Sequence, residues 1–256
     1  AAARRWLGGR AFNVAHLYRH LPPGADPLGP ENILILSCGL LTGAPVPTSS
    51  RLHINALSPL TGLLGSSNVG GRFGDRLRSC GWQAVAVRGR LASPVCLEID
   101  AAGAVLRDAR DLWGLDTWAA QDRLEATTGG PRAAVLNIGP AGENRVPTAC
   151  LVAERDHAAG RTGLGAVLGA KNLKALLVRP GDLAPEPADP PRLRAAVKRF
   201  LRLVTASPDY RTFSEVGGAG YVQWADEKGY MAARHFRETH FEGSAALDGR
   251  RLADKV

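Results

Sequence analysis

The sequence predicts an α+β protein whose first part is rich in short strands and whose last part is helical. Apolar runs of strand length alternate with glycine-rich turns as far as Val178. A proline-rich segment, Pro180–Pro191, then interrupts the chain, and apolar residues recur at helical spacing after it. Strands gathered in one part and helices in another are typical of the α+β class. We therefore predict a first domain at 1–180, a linker at 181–191 and the start of a helical domain at 192–256.

The strands of the first domain are predicted from continuous or alternating apolar runs. Ile33–Leu36 is continuous and indicates a buried strand, whereas Leu52–Ala56 alternates with polar residues and indicates a half-buried one. The other strands are expected at 84–88, 95–99, 105–107, 133–138, 149–153 and 173–178. Three segments between them are rich in glycine, proline or small polar residues and are predicted to be loops, at 40–51, 58–72 and 139–144.

Helices are predicted where apolar residues recur every three or four positions. Gly9–Leu21 has this spacing and is stopped by Pro22. Asp116 is expected to cap a helix that ends at 129–131. The residues of that helix expected to face the core are Trp118, Ala119 and Leu124. Further helices are predicted at 73–79, at 193–204 and at 213–229.

The stretch 158–175, AAGRTGLGAVLGAKNLKA, combines four glycines with three cationic residues. Glycine lets a ligand approach backbone N–H groups, and a helix beginning near Gly163 would direct its positive dipole end to the same place. Such a place suits a phosphate. The spacing matches neither the Walker loop nor the dinucleotide-binding pattern. A phosphate site and a glycine-lined packing contact between helix and sheet are both open at this point.

The composition excludes several classes of protein. The chain has 256 residues, 45% of them hydrophobic, and a net charge of +8, as expected of a globular protein with a sizeable core. No apolar run approaches the roughly 18–20 residues of a membrane span. The N-terminal residues contain no apolar segment typical of a signal peptide, so we expect a cytoplasmic protein that binds no membrane. Because the chain lacks an initiator Met, we expect a fragment or an excised domain.

The distribution of the charged residues and of the cysteines argues against two further kinds of site, one for nucleic acid and one for a cysteine-bound metal. The basic residues are scattered and do not form a stripe with interleaved aromatics, which argues against nucleic-acid binding. The cysteines have no metal-ligand spacing and are expected to be buried, reduced thiols. They are Cys38, Cys80, Cys96 and Cys150.

Several short motifs, taken together in their order and spacing, resemble the tungstopterin-dependent aldehyde:ferredoxin oxidoreductases. The motifs are LPPGADPLGPEN (21–32), SPLTG (58–62), SNVGG (67–71), LWGLDTW (112–118), IGPAGEN (138–144), AAGRTGLG (158–165) and KNLKA (171–175). The resemblance is close over 8–179 and looser through FRETHFEG at 236–243. Members of that family are roughly twice as long or longer, so the chain corresponds to their first domain and the start of their second.

The resemblance implies a fold and a function. The first domain would consist of two sheets that form a base for a bis-pterin (bis-molybdopterin) cofactor carrying tungsten or molybdenum. The whole protein would oxidise aldehydes to carboxylates and pass electrons through a 4Fe–4S cluster, held by parts of the chain beyond this one, to ferredoxin or another electron-transfer subunit. It would act on a small aldehyde, as a homo- or hetero-oligomer. The fragment alone would be inactive, and no catalytic residue is assigned in it.

The resemblance also implies cofactor-binding residues. Arg51 matches an arginine near the pterin phosphates, and Asn68, Val69 and Gly70 match the turn beside them. Asn68 and Ala158 would offer backbone carbonyls to a Mg²⁺ that bridges the two phosphates, a chemically reasonable choice for this oxygen-seeking ion. His157 stands where the family often has arginine, and it is only partly charged near neutral pH. Arg161 is a further candidate for a phosphate contact.

Alternatives stay open at this stage. Arg51 can be an ordinary surface arginine, and Asn68 can serve only a left-handed turn conformation. Glu143 and Asn144 can cap their turn without touching a ligand. At the level of function, the chain can belong to a subunit that reduces an aromatic acyl-CoA thioester, or it can be a non-catalytic phosphate or nucleic-acid binding module.

Overall fold

A computed structural model describes residues 5–128 and 133–255 of the chain. The strands are β1 Leu34–Cys38, β2 Leu52–Leu57, β3 Leu64–Val69, β4 Ala84–Val87, β5 Val95–Ile99, β6 Ala104–Asp108, β7 Ala134–Asn137, β8 Leu151–Ala153, β9 His157–Ala159 and β10 Leu173–Val178. The helices of the same region are α1 Gly9–His20, α2 Phe73–Ser79, α3 Thr117–Thr127, α4 Pro140–Glu143 and α5 Leu164–Ala170. The chain divides into two compact units between Pro187 and Ala188.

The first unit is built on two sheets. The first sheet is antiparallel and has the strand order β3-β2-β1-β4. The second has the order β6-β5-β10-β7-β8-β9, and within it only the β10–β5 pair is parallel. Together with the helices, these sheets confirm the predicted α+β class.

The main hydrophobic core lies between the two sheets. Leu34 and Leu36 of β1, Leu52 and Ile54 of β2, and Leu176 of β10 belong to the same buried cluster. The opposite face of the first sheet is covered by α1, whose Leu17 packs with Ile33 and Ile35. Because side chains alternate along a strand, the residues of β2 that point away from the core point toward α1.

A polar layer separates α1 from the first sheet. The amide of Asn13, which is fully buried, donates to Ile35 O at 3.3 Å, His53 O at 3.1 Å and Asn55 Oδ1 at 3.0 Å. Asn55 in turn donates to Gly65 O of β3 at 3.0 Å. The alternation in Leu52–Ala56 predicted a half-buried strand, but Asn55 is fully buried because these amide contacts satisfy it.

Several predicted elements need correction. The segment 58–72 was expected to be a loop and contains β3, and Ala158 lies in β9. The glycine-rich turn at 139–144 contains the one-turn helix α4. Asp116 caps α3 as predicted by accepting from the Trp118 and Ala119 N–H groups, but the Trp118 side chain is 58% exposed. The predicted helix stop at 129–131 lies outside the described residues.

The second unit is helical. Its helices are α6 Pro190–Thr205, α7 Pro208–Val216, α8 Val222–Glu227 and α9 Gly249–Ala253, with short 3-10 turns at Gly217–Tyr221 and Ser244–Ala246. The helix predicted at 213–229 is broken at Gly217, which has φ +61. Helix α6 begins within the segment expected to be a linker, with Pro190 in its first turn and Asp189 as its cap.

The glycines of α5 mark its close packing on backbone. A Cβ on Gly165 would lie 2.7 Å from the Cys150 carbonyl carbon and 2.9 Å from that of Ala149, and one on Gly169 would overlap the Gly142 carbonyl oxygen. Backbone cannot move aside as a flexible side chain can. These two glycines therefore serve close packing of α5, on helix α4 at Gly169 and on the segment that precedes β8 at Gly165.

We expect Gly165→Ala to lower the free energy of unfolding by about 1–3 kcal/mol, the usual cost of overpacking. Gly160→Ala is the matched control, because a Cβ there meets only Cys150 Sγ at an ordinary 3.8 Å. Urea unfolding followed by circular dichroism measures both changes. Equal stabilities for the two variants would contradict this assignment.

Candidate functional site

The candidate site lies where the edge strands of the two sheets pack against each other. Strand β3 is the edge of the first sheet, and β9 is the edge of the second. Arg161 N donates to Ser67 Oγ at 3.4 Å. A Cβ on Gly65 would lie 2.9 Å from Thr162 Oγ1, and one on Gly70 would lie 3.6 Å from His157 Cδ2. Residues 65, 67 and 70 therefore contact residues 162, 161 and 157 in turn, so the two segments run in opposite directions.

This arrangement brings Asn68 and Ala158 into one region. Asn68 lies between Ser67 and Gly70 on one side of the junction, and Ala158 lies between His157 and Arg161 on the other. Edge strands carry carbonyl groups that no neighbouring strand uses. Asn68 is an extended residue of β3 and is absent from the residues with positive φ, so the left-handed turn considered for it is wrong.

Arg51 precedes β2 and reaches across to β3. Its Nη1 donates to Asn68 Oδ1 at 3.0 Å, and the guanidinium is exposed. The arginine and the asparagine therefore hold each other at the end of the first sheet. Val69, the next residue, is fully buried in the core, so it can contribute to a site only through its backbone.

His157 lies against the glycine pair that follows β3. Gly71 has φ +78, and a Cβ there would lie 2.6 Å from His157 Cδ2 and 2.8 Å from Glu154 Oε2. Only glycine leaves room for both side chains in this conformation. His157 is half-buried, with Nδ1 3.5 Å from Asp156 Oδ1. Ala158, Gly160 and Arg161, which follow it, are exposed.

Two further contacts hold the loops of the site, and sequence patterns did not predict them. Glu154 accepts from Arg72 N at 2.9 Å with both carboxylate oxygens, which ties the β8–β9 turn to the end of β3. Ser58 is fully buried, donates to Thr162 O at 2.8 Å and accepts from Leu60 N and Thr61 N at 3.2 Å. The SPLTG motif indicates a serine-capped turn. It does not indicate Thr162, whose carbonyl accepts the Ser58 hydrogen bond and which lies 104 residues further along the chain.

His53 adds a polar group to the same end of the first sheet. It pairs with Asn68 across β2 and β3. Its partial burial lowers the pKa of the imidazole, and the nearby guanidinium groups of Arg10 and Arg51 lower it further. His53 Nδ1 is buried and has no hydrogen-bond partner among the described residues.

Glu143 and Asn144 both contact other parts of the first unit. Glu143 forms a buried ion pair with Lys174, and Asn144 Nδ2 donates to Pro140 O at 2.9 Å.

The site offers few anionic ligands. Within the described ranges no group of three or more His, Cys, Asp or Glu side chains could hold a metal ion. The described cysteines carry no disulfide, and Cys38, Cys80 and Cys96 are buried as predicted, whereas Cys150 is only partly buried. Besides the carboxylates of Glu154 and Asp156, the junction offers backbone carbonyls and cationic side chains. In the part of the chain that the structure describes, no helix is long and apolar enough to cross a membrane.

Comparisons with known proteins give a consistent result. Residues 1–180 match the family described as "Aldehyde ferredoxin oxidoreductase, N-terminal domain". The tungsten-containing aldehyde ferredoxin oxidoreductases of Pyrococcus abyssi and Thermococcus kodakarensis are each 35% identical over 254 residues, covering 99% of this chain and 42% of theirs. The WOR-like subunit of an aliphatic sulfonate oxidoreductase from Pyrococcus furiosus is 30% identical, covering 93% of this chain and 40% of its own length.

A solved structure has a similar fold. It is the active-site complex BamBC of benzoyl coenzyme A reductase with 1,5-dienoyl-CoA, at a TM-score of 0.82 and 29% identity, covering 99% of this chain and 40% of that one. The chain therefore spans less than half the length of the curated relatives it matches.

Proposed function

Because the chain belongs to the aldehyde ferredoxin oxidoreductase family, we propose that it holds the pterin phosphates in an oxidoreductase with a tungsten or molybdenum cofactor. The observation that carries this proposal is the junction of β3 and β9, which gathers Asn68 and Ala158 beside Arg51 and His157. Relatives named as tungsten-containing imply a tungstopterin. The two carbonyl-bearing strand edges and the cationic groups suit a phosphate pair and its counter-ion.

The chemical character of the junction fits that group. Arg51 and Arg161 are exposed and cationic, and the half-buried His157 can donate to a phosphate oxygen. The glycines at 70 and 71 let the His157 side chain lie directly against the backbone of the same region. The Asn68 and Ala158 carbonyls would help to hold a Mg²⁺ at the phosphates. This ion prefers oxygen ligands and is usually bound by phosphate oxygens together with a few protein oxygens. Arg51, oriented by Asn68, would neutralise phosphate charge, with Val69 and Gly70 contributing backbone only.

The cofactor, when bound, supplies two-electron redox chemistry, and the protein binds and orients it. For the complete protein we propose oxidation of an aldehyde to a carboxylate, with electrons leaving through a 4Fe–4S cluster to ferredoxin or a partner subunit. The cluster, the substrate pocket and the proton-transfer groups would belong to other parts of the protein. A cytoplasmic location is part of the same proposal.

A second candidate function is reduction of an aromatic acyl-CoA. The likeness to the benzoyl coenzyme A reductase complex favours it, because that structure matches nearly the whole of this chain. The phosphate junction would serve both reactions equally. Assays of the complete protein with an aldehyde and a viologen acceptor, and with an aromatic acyl-CoA and a low-potential donor, distinguish the two.

The proposed function predicts that Arg51→Gln lowers tungsten and pterin content. Charge-assisted hydrogen bonds contribute about 1.5–3 kcal/mol each, so we expect at least a tenfold loss of cofactor affinity. The test is metal analysis and pterin fluorescence on the complete protein produced with tungstate. Arg90→Gln is the matched control, since Arg90 is exposed and follows β4, the opposite edge of the first sheet. A folded wild-type protein without metal and pterin would overturn the proposal.

A further inference from the structure

A cavity of about 510 Å³ lies on the outer face of the second sheet, between strands β5, β6 and β10 and helix α3. Pockets of roughly 300–1,000 Å³ are the usual size for small ligands. Because side chains alternate along a strand, Cys96 and Glu98 of β5 point to this face, whereas Ile99 belongs to the main core. Strand β6 is the edge of the second sheet opposite β9, so this cavity is not part of the β3–β9 junction.

The floor of the cavity is apolar. Cys96, Leu124 and Leu177 line it, and they belong to one buried hydrophobic cluster with Leu112. Burial raises the pKa of the Cys96 thiol to about 12, so the thiol stays protonated and uncharged at neutral pH. Such a floor favours a hydrocarbon chain or ring, since removing apolar surface from water stabilises a complex.

Two arginines and one glutamate form a connected group at one side of the cavity. Arg107 Nε donates to Glu98 Oε2 at 3.0 Å, and Arg179 donates to Glu98 Oε1 from Nε at 3.0 Å and from Nη2 at 2.5 Å. Burial acts to raise the pKa of Glu98, but the hydrogen bonds and charges of the two arginines leave this pKa below its usual value, so the carboxylate stays ionised. The group therefore carries one excess positive charge.

The other charged residues of the lining are paired and do not cancel this excess. Asp108 forms an ion pair with Arg110 at 2.5 Å, and Arg123 lies 3.8 Å from Asp111. Each of these pairs brings one positive and one negative charge. The mouth of the cavity thus has a net positive charge above an apolar floor, a combination that suits an anion with a hydrocarbon part.

We propose that the cavity binds a small amphipathic monocarboxylate, whose hydrocarbon part lies on Cys96 and Leu124 and whose carboxylate binds the guanidinium groups of Arg107 and Arg179. Glu98 orients both guanidinium groups but uses only one N–H of Arg107 and two of Arg179, out of five in each. The remaining donors suit a second carboxylate, which planar guanidinium groups bind through paired hydrogen bonds. This site does not depend on the proposed function, since its lining residues are not those of the β3–β9 junction.

Isothermal titration calorimetry on the chain tests the site with sodium octanoate, 1-octanol and octylammonium chloride as probes. These probes share one hydrocarbon chain and differ in charge. We expect octanoate to bind with a dissociation constant of about 1 mM or lower, and at least about tenfold more tightly than octylammonium. The affinity of octanol should lie between the two.

Arg107→Gln should weaken octanoate binding about tenfold, the effect of one lost charge-assisted contact, and should leave octanol binding within about twofold. Arg88→Gln is the matched control, because Arg88 is also an exposed arginine paired with a glutamate and does not line the cavity. Ala126→Trp introduces an indole at an exposed position of α3 that lines the cavity, and it should abolish binding of both probes. Ala126→Ser leaves the cavity open and should bind both as the wild type does.

The outcomes separate the anion site from the cavity. Equal affinities for octanoate and octylammonium, or octanoate binding by Arg107→Gln equal to that of Arg88→Gln, would mean that these arginines bind no carboxylate. No binding of any probe, or unchanged octanoate binding by Ala126→Trp, would overturn the cavity as a ligand site. A thermal melt of each variant without probe detects lost folding, and if Ala126→Trp is destabilised the Arg107→Gln comparison decides alone. The assay needs no metal or pterin, so its failure is distinct from failure of the proposed function.

Discussion

Replacing Lys174 by Met is expected to destabilise the protein by about 3–5 kcal/mol, the cost of leaving one member of a buried ion pair alone. Lys174 Nζ lies 2.5 Å from Glu143 Oε1 and donates to Leu115 O at 2.7 Å. The two side chains are 0% and 4% exposed. Without the ammonium group, the Glu143 carboxylate stays buried with only the Gly114 N–H on its other oxygen, at 2.9 Å. Denaturant unfolding measures the loss.

Two further variants make this expectation specific. The double variant Lys174→Met with Glu143→Gln removes both charges, and it should recover much of the stability because no uncompensated charge remains. Arg110→Met breaks an exposed pair with Asp108, whose side chains are 73% and 55% exposed, and should cost less than about 1 kcal/mol. If Lys174→Met destabilised the protein as little as Arg110→Met, the Lys174–Glu143 ion pair would not stabilise the contact between α4 and β10 as its burial indicates.

Local patterns predicted those elements that carry their own signals. The predicted bounds of α2, β5 and β10 agree with the structure, because each is a compact apolar or amphipathic run with clear breakers on both sides. Strand β3 was missed since LGSSNV is small and polar. It forms a strand because β2 pairs with it along its whole length, and this tertiary pairing overrides its weak propensity.

The prediction that Trp118 faces the core was wrong for a similar reason, because tertiary contacts decide which face of the helix is covered. Helical spacing allowed it to face the core, but Ala120, Gln121 and Leu124 occupy that side of α3. Spacing defines a face of a helix and does not define which face another element will cover. The rotation of α3 is fixed instead by the contacts it makes, among them the Asn137 Nδ2 bond to Thr117 O at 2.8 Å.

The motifs of the site could be recognised in the sequence, but the way in which the folded chain brings them together could not. The order of SPLTG, SNVGG and AAGR pointed to the family, which the comparisons confirm. That β3 and β9 are edge strands of different sheets, and that they meet, follows only from pairings between distant parts of the chain. His53 carries no motif, and its place at this end of the first sheet follows only from the pairing of β2 with β3 and the packing of α1 on β2.

A second large effect is expected from pH, through Lys171. This side chain is 2% exposed, and its Nζ donates to Asn32 O at 2.6 Å and Gly89 O at 3.1 Å. The pKa of Lys171 is lowered from 10.5 to about 8, mainly by burial and to a smaller extent by the charge of Arg88, while the charge of Glu31 opposes the change. The unfolded chain then holds this proton more tightly than the folded one, so stability should rise as pH increases from about 8 to 10.5.

The gain from this one group is on the order of 3 kcal/mol, because each tenfold change in proton affinity corresponds to about 1.4 kcal/mol. Other groups titrate over the same range, so the quantity to measure is the stability of the wild type minus that of Lys171→Met at each pH. This difference should increase with pH. The same subtraction with Lys198→Met, an exposed lysine of α6, should stay flat. A flat difference for Lys171 would mean that the hydrogen bonds to Asn32 and Gly89 stabilise the charged ammonium enough to cancel its burial.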